Sequence, residues 1–279
     1  MAIVSLRTIF TIARHELRIT LRNRWILLYA AMLAILTLAV SYFGLAVIEF
    51  TGFQDFSRTA VSLLNLVLYI VPLATMLLAV QSFKTEGGAT DQLFAEPVTI
   101  AEIVVGKMSG LATAHVLAVL IGFSLTGAFI GSEVGLQGIR SYLLLLIFTI
   151  SIGLVFLAVS TMLTVLSERG PKAYAVVLIT WFALVLLFDF LIIGLSFLLP
   201  EIWANRVAFA AVFINPVDAT RVATLLTISG REMFGPAGAQ LVRNTGGIPQ
   251  AVTLLSLSLL VWIIIPVLVA ARSLLRQDL

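Results

Sequence analysis

Six uninterrupted apolar runs, each long enough to cross a lipid bilayer, constrain this chain more than any other feature. A hydrocarbon core of about 30 Å requires roughly 20 apolar residues in helical form. The runs near Trp25–Val47, Val61–Ser82, Ile103–Ile130, Ser141–Leu166, Tyr174–Leu199 and Pro249–Ala271 all meet that length. With 61% hydrophobic residues, 11% charged residues and a mean hydropathy of +1.12, the chain carries more apolar surface than a water-soluble domain can bury. The expected fold class is all-α: a polytopic membrane protein with six transmembrane helices over residues 25–279. An interfacial helix over residues 1–24 is expected before them, and short extracytoplasmic helices within residues 200–248, between spans five and six.

An even number of spans places both termini on one side, and the distribution of basic residues says which. The side shared by the termini holds Arg7, Arg14, Arg18, Arg22 and Arg24, then Lys84, Lys107, Arg169, Lys172, Arg272 and Arg276. The opposite side holds Arg58, Arg140, Arg206, Arg221, Arg231 and Arg243, four of them in one long connection where the rule is weak. Cytoplasmic termini are therefore expected. The basic residues gather at the ends of apolar runs rather than along a soluble face, so their role is membrane orientation and no nucleic acid is expected as a partner. The first run is too long for a signal-peptide core and lacks a small-residue cleavage site, which predicts that it is retained.

Three connections carry more information than their length suggests. Ahead of the first span, Leu6, Phe10, Ala13, Leu17 and Leu21 recur at helical spacing beside a stripe of Arg7, Arg14, Arg18 and Arg22. This predicts a helix in the headgroup region of the lipid membrane, with Arg14, Arg18, Arg22, Arg24 and Trp25 as its surface anchor. It serves equally as an orientation anchor or as a docking surface. The second connection, Phe83 to Glu102, is acidic despite lying on the positive side. Gly87-Gly88 breaks one helix, Pro97 fixes the backbone, and Thr99 with Glu102 has the spacing of a capping box. Glu86, Asp91 and Glu96, with Leu93 and Phe94 as an apolar anchor, form either a solvated loop or the contact surface for a cytoplasmic protein. After Pro200, Ile202, Trp203, Val207, Phe209, Ala210 and Phe213 predict an interfacial helix with Trp203 at headgroup depth. Asn215-Pro216-Val217-Asp218 then supplies an N-cap, a proline at the first helical position and an early acid, opening a helix that Thr220 to Ile228 can continue.

Chemistry leaves few candidates. There is no cysteine, which excludes thiolate metal sites, iron–sulfur clusters and cysteine nucleophiles. His15 is followed by Glu16, but Ile19 stands where a zinc-protease motif requires its second histidine. His115, inside the third span, is expected to make an interhelical hydrogen bond. Asp189 is the carboxylate set well within a span, either a proton relay or a structural hydrogen-bonding group. Pro72 and Pro266 would open the backbone ladder of their spans. No catalytic constellation or metal site is legible, and no Gly-x-x-x-x-Gly-Lys-Ser/Thr loop occurs. The chain is not expected to be an enzyme or to bind a cofactor, and any ATP used must be bound elsewhere.

Several short segments, in order along almost the whole chain, resemble the ABC-2 class of permeases, and within it the NosY-type permeases associated with maturation of the copper enzyme nitrous oxide reductase. They are Ala13-Arg14-His15-Glu16-Leu17, Leu21-Arg22-Asn23-Arg24-Trp25, Val71-Pro72-Leu73, Glu86-Gly87-Gly88, Val105-Gly106-Lys107, Trp181 with Phe188-Asp189, and Asn215-Pro216-Val217-Asp218-Ala219-Thr220-Arg221. Where the family usually has Gly-Thr-Leu and further leucines, this chain has Gly88-Ala89-Thr90-Asp91-Gln92-Leu93-Phe94. The resemblance implies a homodimer in a bacterial cytoplasmic membrane, bound through Phe83–Glu102 by a cytoplasmic ABC ATPase (NosF-like) that holds ATP and Mg. It further implies a periplasmic repeat protein (NosD-like) docked on a face that includes Trp203, Asn215, Pro216, Asp218 and Arg221. Two other readings stay open: an ABC-2 exporter permease for a lipid, drug or ion, and a proton-coupled secondary transporter using Asp189.

Overall fold

The computed structural model describes residues 5–51, 57–84, 99–228 and 241–277, and all regular structure among them is helical. The helices are α1 (Leu6–Arg22), α2 (Arg24–Thr51), α3 (Ser57–Lys84), α4 (Ile100–Ser132), α5 (Gly138–Leu166), α6 (Gly170–Leu198), α7 (Glu201–Ile214), α8 (Pro216–Ile228) and α9 (Ile248–Gln277). Six of them, α2 to α6 and α9, are long and apolar enough to cross a membrane. Each coincides with an expected span to within a few residues.

The α4–α5 hairpin is the hub, with α1, α2, α3 and α9 against it. Its backbone stays helical from Ile100 to Leu166, yet Tyr142 donates a 2.6 Å hydrogen bond to the Phe123 carbonyl. In a straight helix those residues would stand about 28 Å apart, so the chain reverses between Ser132 and Gly138. In hydrocarbon there is no hydrophobic gain from pressing one apolar helix on another, so close backbone approach and interhelical hydrogen bonds must hold the bundle. The contacts follow that rule: Thr37 and Thr126 hydroxyls meet at 2.9 Å, Ser160 donates to the Met76 carbonyl at 2.7 Å, and Asn23 donates to Gln81 at 3.1 Å. Pro72 and Pro266 lie inside helices that continue past them. Thr75 donates to the Val71 and Pro72 carbonyls.

α6 is the least enclosed span. Its middle, Ala183–Leu187, is a π-helical turn, and no residue of its last stretch, Phe188–Leu198, is buried. The chain then turns at Leu199-Pro200 and α7 runs back along α6. The backbone carbonyl of Leu184, some 20 Å back from the end of α6 by helical rise, accepts from Asn215 Nδ2 at 2.9 Å. Ser258, inside α9, donates to the Phe213 carbonyl at 2.9 Å. α7 therefore descends between spans rather than lying flat across their ends, as the interfacial reading of residues 202–213 expects. Its composition permits this: Glu201, Asn205 and Arg206 are too few to give it a polar face along its length. At Asn215 the chain bends by 95° into α8, whose Pro216, Val217, Ala219, Thr220, Val222, Ala223, Thr224 and Leu226 are all buried. Gly246 and Gly247, at φ of +88° and +148°, make the turn into α9.

Candidate functional site

At the end of the bundle that holds the termini, α1 crosses α4 at a notch made by Gly106-Lys107-Met108-Ser109-Gly110. A Cβ on Gly106 would lie 2.7 Å from Ile12 Cβ, and one on Gly110 would lie 2.6 Å from the Ala13 carbonyl oxygen. Two glycines four residues apart let the backbones approach as in other small-residue helix crossings. The side of α1 that faces the notch is Ile12, Glu16 and Thr20, all buried. Inside the contact, Lys107 Nζ lies 3.1 Å from Glu16 Oε2, with 1% and 3% of their side chains exposed. Lys107 also sits 5.4 Å from the centre of the Phe83 ring, near the end of α3. Three elements thus meet at one ammonium group.

The sequence-derived capping box at the start of α4 is present. Thr99 N–H donates to Glu102 Oε2 at 2.7 Å, and Thr99 Oγ1 accepts from the Glu102 N–H at 3.4 Å. Glu102 Oε1 also accepts from the Ser5 backbone N–H, so one carboxylate ties the beginning of α1 to the beginning of α4. The expected coupling residues Glu86, Asp91, Leu93, Phe94 and Glu96 lie outside the described residues, as do Gly87, Gly88 and Pro97. What the structure fixes is both flanks of that segment: Phe83 under Lys107, and Thr99 capped and held to α1.

The remaining faces of α1 point outward. Leu6 and Phe10 are 82% and 70% exposed, and Arg7, Arg14, Arg18, Arg22, Arg24 and Trp25 are exposed as well. At helical spacing the arginine stripe lies opposite the buried stripe, with the apolar stripe between them. The stripe formed by Ile12, Glu16 and Thr20 was not legible as a contact face, because a charged residue occupies its centre; the glycine pair at 106 and 110 was the available signal.

His115 makes the expected interhelical contact. Its Nδ1 is 3.3 Å from the Tyr29 hydroxyl, and the two rings stack at 6.1 Å. Its other nitrogen is pressed against Gly153, where a Cβ would lie only 2.1 Å away. Asp189 is not isolated. Arg221 Nη1 donates to Asp189 Oδ2 at 3.1 Å and to Asp218 Oδ1 at 2.8 Å. The sequence showed all three residues but not the fold-back of α7 that brings α8 against α6. Asn215 organises that fold-back. Its Oδ1 accepts the Val217 N–H at 3.0 Å, capping α8, while its Nδ2 takes the Leu184 carbonyl in the π-helical turn.

The residues expected on one extracytoplasmic partner face are divided by the fold. Trp203 is 55% exposed and lies beneath the Arg206 guanidinium, 5.1 Å from its ring centre. Asn215 and Pro216 are buried, whereas the Asp218 and Arg221 side chains keep 14% and 25% of their surface. Among the described residues no group of three His, Asp or Glu could hold a metal ion.

Comparison with known proteins agrees with this architecture. A family profile described as "ABC-2 family transporter protein" matches residues 10–279. The chain is 31% identical over 270 residues to a probable ABC transporter permease protein NosY of Stutzerimonas stutzeri, covering 94% of this chain and 96% of the relative. It is 30% identical over 262 residues to a protein of the same description from Pseudomonas aeruginosa, covering 91% and 93%.

Proposed function

As a member of the ABC-2 family of transporter proteins, the chain is the membrane-spanning permease subunit of an ABC transporter, and we propose that it couples ATP hydrolysis by a separate cytoplasmic ATPase to events across a bacterial cytoplasmic membrane. Those events are transport, or mechanical remodelling of a periplasmic partner, in nitrous oxide reductase copper-site maturation. In this reading the subunit works as a homodimer with cytoplasmic termini. The ATPase, carrying ATP and Mg, docks on Glu86, Asp91, Leu93, Phe94 and Glu96, and a periplasmic repeat protein docks at the opposite end.

The observation that carries the reading is the convergence of α1, the end of α3 and the start of α4 on the two flanks of residues 85–98. A push on that segment would reach α3 through Phe83, α4 through Thr99, and α1 through Glu102 and the Glu16–Lys107 pair. Such a joint suits a subunit that receives motion from a partner. The rival proton-carrier reading needs Asp189 to act as a lone carboxylate in the span, but Arg221 engages it in a direct ion pair.

The test is co-purification in mild detergent through a tag on the C-terminus, with and without the double change Asp91→Arg and Phe94→Ala. Recovery of an ATPase and a periplasmic protein with the wild type, and loss of the ATPase alone with the variant, is the expected result. A wild type that brings down no ATPase under several conditions overturns the coupling role.

A further inference from the structure

Beside the Glu16–Lys107 pair the bundle is not filled. A cavity of about 660 Å³ opens between the end of α1, the start of α2, the last turns of α3 and the start of α6, with Glu16, Thr20, Asn23, Gln81 and Ser82 on its walls. It adjoins a second cavity of about 330 Å³ lined by apolar and aromatic side chains, among them Leu28, Met32, Tyr69, Leu73 and Trp181. Trp25, Leu77, Leu78 and Gln81 belong to both, so the two form one groove, polar at the end of the bundle that holds the termini and apolar toward its middle. Its lip is exposed: Trp25, Leu28 and Tyr69 keep 58%, 59% and 42% of their surface.

The polar end holds unmet hydrogen-bonding capacity. The Ser82 hydroxyl, on a residue 7% exposed, is buried without a partner. Glu16 gives Oε2 to Lys107 and leaves Oε1 with only a 3.5 Å contact from the Thr20 hydroxyl. A buried hydroxyl left unpaired is unfavourable, and that cost is removed if a ligand group reaches it. Among the described residues the lining has carboxylate, amide and hydroxyl oxygens and no lysine or arginine. Arg22 and Arg24, the chain neighbours of Asn23, are exposed.

We propose that this groove binds one phospholipid with an N–H-bearing zwitterionic head, of the phosphatidylethanolamine class, from the leaflet on the side of the termini. The ammonium group donates to Glu16 Oε1 and the Ser82 hydroxyl. The phosphate stays at the mouth within reach of Arg22 and Arg24, and one acyl chain lies along Leu28, Leu73 and Leu77. A choline head has no N–H to donate, and a glycerol head offers no cation to the carboxylate, so both bind less well. The inference is independent of which ATPase or periplasmic protein the subunit engages.

Native mass spectrometry of the delipidated full chain, re-exposed to equal amounts of phosphatidylethanolamine, phosphatidylcholine and phosphatidylglycerol, tests it. The expected result is one retained phosphatidylethanolamine per chain, preferred by roughly tenfold, the worth of one good hydrogen bond to a charged group. Ser82→Ala, which removes the hydroxyl without adding bulk, lowers retention several-fold. Leu77→Trp, which fills the throat, abolishes it, and Leu268→Trp on the exposed side of α9 leaves it unchanged. Equal retention of the three lipids, or full retention by Leu77→Trp, overturns the proposal. A wild type that holds no lipid but runs as a dimer, with Leu77→Trp shifting it to monomer, overturns it in favour of a second copy of the chain as the occupant.

Discussion

Single atoms decide whether the interior of this bundle closes. At Gly153 a Cβ would meet the His115 imidazole at 2.1 Å, and that ring is held from its other side by Tyr29. Gly153→Ala is therefore expected to destabilise the protein by about 1–3 kcal/mol through overpacking. His115→Ala removes the obstacle, so the double variant should recover part of the loss despite the missing hydrogen bond. Thermal unfolding in detergent checks the order, and a double variant less stable than Gly153→Ala would show that the ring is not the obstruction. A second expectation concerns Asp189. Replacement by Asn keeps a side-chain oxygen for Arg221, with Asp218 still its counter-charge. ATP-driven work by the assembled complex should thus change little. Loss of proton-driven uptake with ATP hydrolysis intact would instead support the carrier reading. Sequence could identify His115 and Asp189 as polar residues in apolar runs, because the cost of burying them makes them stand out. It could not supply their partners, since Tyr29 and Arg221 are distant in the chain and unremarkable as residue types.

The contact between α1 and α4 shows what the periodicity of one element leaves out. Amphipathic periodicity revealed the apolar and arginine stripes of α1, both of which face outward, while the third stripe is organised around Glu16. The Glu16–Lys107 pair at 1% and 3% exposure leads to a distinctive pattern of stabilities. Lys107→Met strands a buried carboxylate and should cost about 3–5 kcal/mol, whereas adding Glu16→Met removes that carboxylate and should recover part of the loss. Thermal unfolding of the four species in one detergent reads the cycle. Equal losses in the single and double variants would mean that the charges contribute only through their aliphatic stems. The same logic explains α7 and α8. Asn215-Pro216 was legible as a helix start because capping chemistry is local, and the capped helix is present as read. The descent of α7 along α6 was not legible, because it depends on a carbonyl in a π-helical turn that no residue pattern marks.

At the scale of the whole molecule, the spans were legible because their length is fixed by the bilayer and not by neighbouring helices. Their order around the α4–α5 hub was not, because apolar faces in hydrocarbon are not paired by hydrophobicity. Which end faces the cytoplasm rests on the basic residues, and a direct measurement follows from the absence of cysteine: any one introduced cysteine is a unique label. Arg140, near the start of α5, and Lys172, near the start of α6, are both exposed and lie at opposite ends of the bundle. With a membrane-impermeant maleimide applied to cells whose outer membrane has been permeabilised, Arg140→Cys should label at once. Lys172→Cys should label only after the cytoplasmic membrane is opened. Both substitutions remove a positive charge, but the arginines of α1 remain on the side of the termini, so neither should invert the chain. The reverse labelling pattern would place α1 and the flanks of residues 85–98 outside the cell, where no ATP-hydrolysing subunit could reach them, and the proposed coupling role would fall with the orientation.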